Sequence, residues 1–437
     1  MTPAPDTGSA VKTFHDAVRL IGTRRFGVFW VTTLMSNIGF WAQQVAQPWL
    51  LLGIGASPFL VGLDACAMDA PVLLLTLPGG ILADEADRRR VIALFQSIQM
   101  LSATSLVALL WFGTIRIWMV IAISLVIGIT DALSMPSFQS IVPSIVASEE
   151  VSTGLALNST QFNLSRILGP AFAGVLMTSI GLIGCYTVNA ASYLPFIFVA
   201  LWVLPRHDRA VFTRSAFDVP HLFKGLRHIV QDQEIREALR TVLITSVLCG
   251  PVATFCPVLV KMALHGNAVL FSTSIGAFGV GGLCGATGSL LVGRSSNRRR
   301  IAMVFTAIFG AIVTACALNP WPWTLPVLMM LAGLCMSISN TSANTCLLTT
   351  VQNDMRGQAV SLFMMAVRGG ASLGSLATGM SVDLFGVRAA LFINGVLAIA
   401  LVLILGRKLP KIAAPALSVD HLRAADDAAG PGKAAFP

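Results

Sequence analysis

The stretch GGILADEADRRR, residues 79–90, ends a long apolar run with three carboxylic acids and three arginines. Charge is scarce elsewhere, because 55% of the 437 residues are hydrophobic and only 11% are charged. A soluble domain of average composition carries about 25% charged residues. The apolar runs on both sides of the stretch reach the length of about 20 residues that crosses a bilayer as a helix. The stretch is therefore a short polar loop between two membrane-spanning helices of a polytopic protein.

Similar apolar runs recur along the chain and predict an all-α membrane protein with twelve transmembrane helices. The expected helices cover residues 27–53, 57–83, 91–113, 117–141, 153–180, 184–204, 237–261, 268–293, 301–319, 323–348, 357–384 and 388–406. The polar segment 206–236 is predicted to link a six-helix half at 27–205 to a second half at 237–408. Residues 1–26 form a polar N-terminal segment, and the tail 409–437 is predicted to be disordered from its composition.

Lysine and arginine set the predicted orientation of the helices. If the N-terminus is cytoplasmic, 24 of the 29 basic residues lie on the cytoplasmic side, three lie on the opposite side and two lie within helices. This imbalance predicts a multi-pass protein of the cytoplasmic (inner) membrane with both termini in the cytoplasm. Basic loops beside anionic lipid headgroups also account for the net charge of +9, so no nucleic-acid partner is expected.

The eight cysteines lie mostly within apolar runs and show no metal-ligand spacing. We therefore expect packing roles for them, with no metal and no cofactor. No arrangement of catalytic residues stands out either, and the chain is not expected to be an enzyme.

The two predicted halves resemble one another in sequence. Arginines at 88–90 follow the second helix and arginines at 298–300 follow the eighth, while GPAFAG at 169–174 matches GSLATG at 374–379. A parallel repeat of two six-helix halves is a recurring transporter architecture. Two such bundles can rock about a central site and open it to one side of the membrane and then to the other.

The quoted loop resembles the signature loop between helices two and three of the major facilitator superfamily, which is close to G-x-L-a-D-r-x-G-R-R. Gly80, Asp84, Arg88 and Arg89 match this pattern. Asp87 stands in place of the second glycine of the pattern. An acid at this place resembles the branch of the superfamily that contains the enterobactin exporter and macrolide efflux proteins. The resemblance covers about residues 20–408, and it implies the major facilitator fold with two pseudo-symmetric halves and a gating role for the loop.

Electrostatics favours the same gating role. Asp84 is expected near the N-terminal end of a helix of the other half, where the helix macrodipole favours a carboxylate. Arg88 and Arg89 are expected to reach an acid on helix four, and Asp131 is the nearest candidate. Such a cluster would close the cytoplasmic side and release it during the transport cycle.

The stretch RILGPAFAG, residues 166–174, resembles the antiporter signature of helix five, G-P-x-x-G-G. Pro170 removes a backbone donor and bends the helix, while Gly169 and Gly174 let a neighbouring helix approach closely. A bent and tightly packed helix prevents leakage while the halves move. Because the signature occurs in exporters, it favours export over uptake.

Ionisable side chains within the predicted helices are functional candidates, because charge inside a bilayer is costly. Asp64 and Asp69 are five residues apart and are predicted to lie on different faces of helix two. Asp69 is expected to lie deepest and to carry a proton, with Arg166 as the partner that tunes it. Asp131 is an equal candidate for a proton role or for pairing with the loop arginines, and Asp64 is expected near the outer surface.

Polar side chains in helices one, five and ten predict a substrate cavity. The candidates, together with Arg368 of helix eleven, are Asn37, Gln44, Gln47, Asn158, Asn163, Asn340 and Asn344. Helices three, six, nine and twelve are nearly bare of such groups. The resemblance implies that these four helices face lipid.

The sequence therefore predicts a monomeric, proton-driven exporter of a small organic molecule, either a siderophore or an amphipathic drug. Its expected partners are that molecule, protons and membrane lipid. Three alternatives stay open. A lysophospholipid flippase requires a lateral opening between helices, a membrane sensor tolerates loss of Asp69, and a proton-coupled uptake symporter is disfavoured by the helix-five signature.

Overall fold

A computed structural model describes residues 18–204, 232–291, 297–351 and 356–407, and these residues form long helices with no strand among them. The first half comprises α1 (Arg24–Gly53), α2 (Pro58–Glu85), α3 (Arg88–Trp111), α4 (Ile117–Ile145), α5 (Val151–Ser179) and α6 (Gly181–Trp202). The second half comprises α7 (233–263), α8 (Ala268–Leu291), α9 (Arg298–Leu318), α10 (Leu325–Thr350), α11 (356–385) and α12 (Val387–Arg407).

Two of these helices are interrupted. In α7, Gln233–Ile244 is followed by a π-helical turn at Thr245–Cys249, by short α-helical pieces, and by a second π-helical turn at Leu259–Ala263. In α11, a π-helical turn at Met365–Gly369 separates Arg356–Met364 from Gly370–Phe385. Single π-helical turns within α-helices are frequent at functional sites.

With α7 and α11 counted once each, the described ranges hold twelve long helices whose ends lie within four residues of the predicted ones. Ten of them contain a span that is long and apolar enough to cross a membrane by length and composition. The other two, α1 and α5, are also long, but they carry many of the polar residues predicted to line a cavity. The predicted all-α membrane fold is confirmed. Most of the predicted N-terminal segment, the linker and the tail lie outside the described residues.

Helix packing repeats between the halves. In the first half α2 packs against α4 and α3 against α6, and in the second half α8 packs against α10 and α9 against α12. Each pair maps onto its counterpart by adding six to the helix number, so the halves are pseudo-symmetric. The main contacts between the halves follow the same rule, because α2 packs against α11 and α8 packs against α5.

Small residues make both contacts between the halves close. A side-chain carbon at Gly62 of α2 would collide with the backbone of Ser375 in α11, and one at Gly174 of α5 would lie 2.6 Å from Cβ of Ser272 in α8. Within membranes, small residues at helix interfaces allow backbones to approach. These glycines therefore hold the two halves together by close packing.

Polar contacts join the halves at the end of the bundle where α1, α7 and α11 finish. We call this the outer end, because the charge count predicts that it faces the extracytoplasmic side. The Ser57 hydroxyl donates to Asp383 at 3.0 Å, and the Lys261 ammonium donates to the Leu52 carbonyl at 2.8 Å. The Lys261 ammonium also lies 5.8 Å from the centre of the Trp49 ring. The halves are therefore in contact at their outer end.

Candidate transport cavity

A cavity of about 560 Å³ lies between the halves, with walls from α1, α2, α5, α7, α8, α10 and α11. Its volume is in the range of small-molecule sites. Of the site residues predicted from the sequence, seven line this cavity: Gln44, Asp64, Asp69, Arg166, Pro170, Asn340 and Asn344. Its aromatic and methionine side chains are Trp41, Met68, Phe271, Phe278, Met336, Phe363 and Met364. None of the lining residues that the structure describes belongs to α3, α6, α9 or α12.

Three polar atoms of the cavity wall are buried without a hydrogen-bond partner in the described parts of the chain. They are Nε1 of Trp41 and the Oδ1 atoms of Asn340 and Asn344, which lie one turn apart on α10. Buried polar atoms in proteins are nearly always hydrogen-bonded. The residues that carry these three atoms all line the cavity, so they are candidates for polar contacts with a ligand.

An ion cluster joins the halves beside the cavity. Nη1 of Arg368 lies 2.7 Å from Oδ1 of Asp69 on α2, and Nη2 of Arg368 lies 3.9 Å from Oδ2 of Asp131 on α4. Arg368 belongs to the π-helical turn Met365–Gly369 of α11. We call Arg368, Asp69 and Asp131 the interhalf ion cluster.

Two glycines after Arg368 explain how this turn fits between its neighbours. A side-chain carbon at Gly369 would lie 2.7 Å from Leu73 of α2, and one at Gly370 would lie 2.9 Å from Ser246 of α7. The Gly-Gly pair lets α11 approach both helices at this level. Arg368 is thereby held close to the carboxylates of the first half.

Arg166 has different surroundings. Its Cζ atom lies 5.2 Å from the centre of the Trp41 ring, a cation–π contact between α5 and α1. Among the described residues its guanidinium has no carboxylate and no hydrogen-bond acceptor within bonding distance. The prediction that Arg166 pairs with Asp69 is wrong, because Arg368 occupies that position against Asp69.

Asp64 lies in a separate polar cluster of neutral groups. Nε2 of Gln47 donates to both Asp64 carboxylate oxygens at 3.0 and 2.9 Å, and the Ser124 hydroxyl of α4 donates to Oδ1. Asp64 is only 5% exposed, although it lies less than two turns from the outer end of α2. Asp64 and Asp69 line the same cavity, against the prediction of separate faces, but their carboxylates bind different helices.

The match to a known family supports the fold seen in the helices. The family model described as "Transmembrane secretion effector" matches residues 20–428. The chain belongs to this family of the major facilitator superfamily. Its members are transporters, so the chain is a multi-pass membrane transporter of small molecules and not an enzyme. The resemblance seen in the quoted motifs is confirmed.

Known relatives of this chain include exporters. The chain is 25% identical over 383 residues to the Staphyloferrin A transporter of Staphylococcus aureus, covering 86% of this chain and 94% of that protein. It is 24% identical over 362 residues to the multidrug efflux pump Tap of Mycolicibacterium fortuitum, covering 79% of this chain and 86% of that protein. The crystal structure of the nucleoside transporter NupG has the same fold, with a TM-score of 0.71, 13% identity, and coverage of 89% of this chain and 100% of that one.

Several of the predicted cavity residues do not line the described cavity. Gln47 is turned to Asp64, and Asn37 and Asn158 are half-buried elsewhere on α1 and α5. The side chain of Asn163 lies outside the described residues. Arg368 lies beside the cavity, in the interhalf ion cluster.

The wall from α8 was missed by the sequence analysis. Phe271 and Phe278 line it, and so do Gly279 and Gly282. Charged and amide side chains within helices were the basis for predicting the cavity, and α8 contains none of them. The glycines spaced along α8 were the available signal, because they mark a helix that other elements approach closely.

The signature loop binds within its own half. Nε of Arg89 lies 2.9 Å from Oδ2 of Asp87, and Nη1 of Arg89 donates to the Leu201 carbonyl of α6 at 3.0 Å. Asp87 also caps α3 by accepting from the Arg89 backbone N–H. The predicted pairing of Arg89 with Asp131 is wrong, because the loop supplies its own acid and Asp131 faces α11. The side chain of Asp84 lies outside the described residues, so its gating role stays a prediction.

The helix-five signature lies at two helix contacts. A side-chain carbon at Gly169 would collide with Cβ of Trp41 on α1, and Gly174 faces Ser272 on α8. Pro170 lines the cavity between them. The predicted close approach of neighbouring helices is present, while the antiporter role of the signature stays a prediction.

Proposed function

We propose that the chain exports a small organic molecule, a siderophore or an amphipathic drug, across the cytoplasmic membrane by proton antiport with alternating access. The observation that carries this proposal is the interhalf ion cluster, which ties α11 to α2 and α4 beside the cavity. Relatives named for siderophore transport and multidrug efflux support the direction and the substrate class.

The contacts at the outer end support alternating access. With the halves joined there by close packing and by the bond between Ser57 and Asp383, substrate reaches the cavity from the inner end, where both termini lie in the proposed orientation. Rocking of the halves would separate α2 from α11 and α5 from α8 at the outer end. We propose a monomer as the working unit.

The ion cluster supplies a route for coupling to protons. An adjacent guanidinium favours the ionised form of a carboxylic acid, and loss of that cation favours the protonated form. With the halves in contact, Arg368 lies against Asp69, and a proton on Asp69 is released. When the halves part, Asp69 loses this partner inside the membrane and takes up a proton from the outer side. Proton entry is thereby linked to substrate exit.

Transport into inverted membrane vesicles tests this function. Vesicles that contain the protein would be energised to an acidic interior and offered ethidium, Hoechst 33342 and dansylglycine. We expect accumulation of at least one compound that stops when nigericin collapses the pH difference. Vesicles without the protein are the control.

The same vesicles separate the alternatives. Movement of a compound out of the vesicles, in the same direction as the protons, would show a symporter. Movement of a fluorescent lysophospholipid between leaflets, without movement of the soluble compounds, would show a flippase. Absence of any transport, with an effect of the protein on a partner instead, would indicate a sensor.

A further inference from the structure

The cavity contains one cation that the described part of the protein leaves uncompensated. The acids around the cavity are already engaged, because Asp69 and Asp131 face Arg368 and Asp64 is bound by Gln47 and Ser124. Arg166 lines the cavity and rests on the face of Trp41. Its guanidinium carries five N–H donors, and none of them has an acceptor among the described residues.

An uncompensated guanidinium inside a membrane protein is costly, and ionisable groups there pair with one another or with backbone carbonyls and mark substrate pathways. The contact with the indole ring offsets only part of this cost, since cation–π contacts contribute roughly 0.5–2 kcal/mol. An anionic group presented from the cavity would supply both the missing charge and the missing acceptors. Arginine is also the side chain whose donor geometry matches a carboxylate.

We infer that Arg166 binds an acidic group of the transported molecule, so that the substrate class is amphipathic organic anions. This inference rests on the proposed transport function and names the ligand of the same cavity. It replaces the predicted role of Arg166 as a partner of Asp69.

The rest of the wall fits the other parts of such a molecule. Phe271, Phe278 and Met336 offer apolar surface opposite α1 and α5. The amides of Asn340 and Asn344 line the same cavity and carry both donors and acceptors for a polar substituent. The site is suited to an acid that carries an apolar or aromatic body and at least one hydrogen-bond donor.

Three probes with one fluorophore and different charges test the inference. Dansylglycine is an anion, dansylamide is neutral and dansylcadaverine is a cation. Each would be titrated onto the full-length protein in lipid nanodiscs at pH 7.5, and binding would be followed by energy transfer from tryptophan to the dansyl group. We expect wild type to bind dansylglycine at least about tenfold more tightly than dansylamide, as for a charge-assisted hydrogen bond in a desolvated site. The cation should bind most weakly.

Variants assign the preference to Arg166. In Arg166→Gln the affinity for dansylglycine should fall to that for dansylamide, while affinity for dansylamide stays within about twofold, because the apolar wall is intact. Arg166→Lys should retain part of the preference. Arg19→Gln removes an exposed arginine that pairs with Glu150 outside the cavity and should behave as wild type.

Equal binding of the three probes by wild type, or no binding of dansylglycine, would overturn the inference. An anion preference that survives in Arg166→Gln would also overturn it. These results are independent of the transport assay, because a cavity that prefers neutral or cationic probes can still belong to an exporter. Conversely, an anion preference without transport would contradict the proposed function alone.

Discussion

Arg166 and Arg368 are both held within helices close to the cavity, but they are compensated in different ways. Arg368 lies in a π-helical turn of α11 and faces two carboxylates of the opposite half. Arg166 lies in the regular helix α5 and rests on an indole ring of its own half. One charge is balanced by the protein, and the other is available to a ligand.

This difference indicates two separate roles for the arginines, one in coupling and one in substrate binding. A charge balanced across the interface between the halves changes its surroundings when the halves move, so it can respond to conformation and to protons. A charge that faces the cavity without a partner responds to what enters the cavity. Substitutions at Arg368 should therefore affect coupling, and substitutions at Arg166 should affect specificity.

The largest effect is expected for Arg368→Ala. This change leaves Asp69 and Asp131, which are only partly buried, without their cation at the contact between the halves, where an unpaired charge within the membrane is costly. We expect transport driven by a pH difference to fall by at least about 100-fold. Arg368→Lys should recover part of the activity, because an ammonium can still pair with Asp69. Wild-type transport by the alanine variant would show that the cluster does not couple the cycle.

A smaller effect is expected for Gly169→Ala, which disturbs the ring under Arg166. The new carbon would collide with Cβ of Trp41, so α1 and α5 must move apart. We expect about a tenfold loss of transport at similar expression, as for an overpacked contact that costs roughly 1–3 kcal/mol. The matched control is Gly276→Ala on α8, where an added carbon meets no atom within 4 Å. Equal losses in both variants would exclude a specific role for the α1–α5 contact.

A weaker effect is expected for Asp64→Asn, measured as transport into inverted membrane vesicles. Asp64 is bound by the neutral groups of Gln47 and Ser124, and an uncharged amide of the same shape can keep two of these contacts. Because an ionised carboxylate among neutral groups is costly, the neutral side chain should be tolerated. We expect transport within about threefold of wild type, equivalent to less than 1 kcal/mol. Loss of uphill transport would move the coupling site from the interhalf ion cluster to Asp64.

The smallest effect is expected for Arg89→Gln in the signature loop. Arg89 binds Asp87 and the Leu201 carbonyl within its own half, so its loss does not alter a contact between the halves. We expect about a twofold change in transport rate, since partly exposed ion pairs contribute roughly 0–1 kcal/mol. A loss comparable to that in Arg368→Ala would show that the loop latches the halves in another state of the cycle.

The fold could be predicted from sequence more completely than the site. Long apolar runs fix helix ends, and paired motifs such as GPAFAG and GSLATG reveal the repeat, because both depend on local composition. The partner of Asp69 could not be predicted in this way. Arg166 and Arg368 are both arginines within helices, and the choice between them depends on the π-helical turn and on the approach of α11 to α2.

The same reason explains what was not predicted about Asp64 and the loop. Asp64 was expected near the outer surface and lies less than two turns from the outer end of α2, but its enclosure by Gln47 and Ser124 from two other helices was not predicted. Arg89 was expected to pair with an acid on helix four, but it pairs with Asp87, two residues away in the same loop. Contacts between helices far apart in sequence leave no local pattern from which to predict them.

Proton movement in proteoliposomes is the most direct test of the coupling proposed for the Asp69–Arg368 pair. Wild type and Asp69→Asn would be reconstituted with a pH-sensitive dye inside, and a compound exported in the vesicle screen would be added under an imposed pH difference. Wild type should accumulate the compound against its gradient and move protons in the opposite direction. Asp69→Asn should do neither, while downhill exchange of the compound continues. Uphill accumulation with proton movement by Asp69→Asn would contradict the assignment of coupling to this pair.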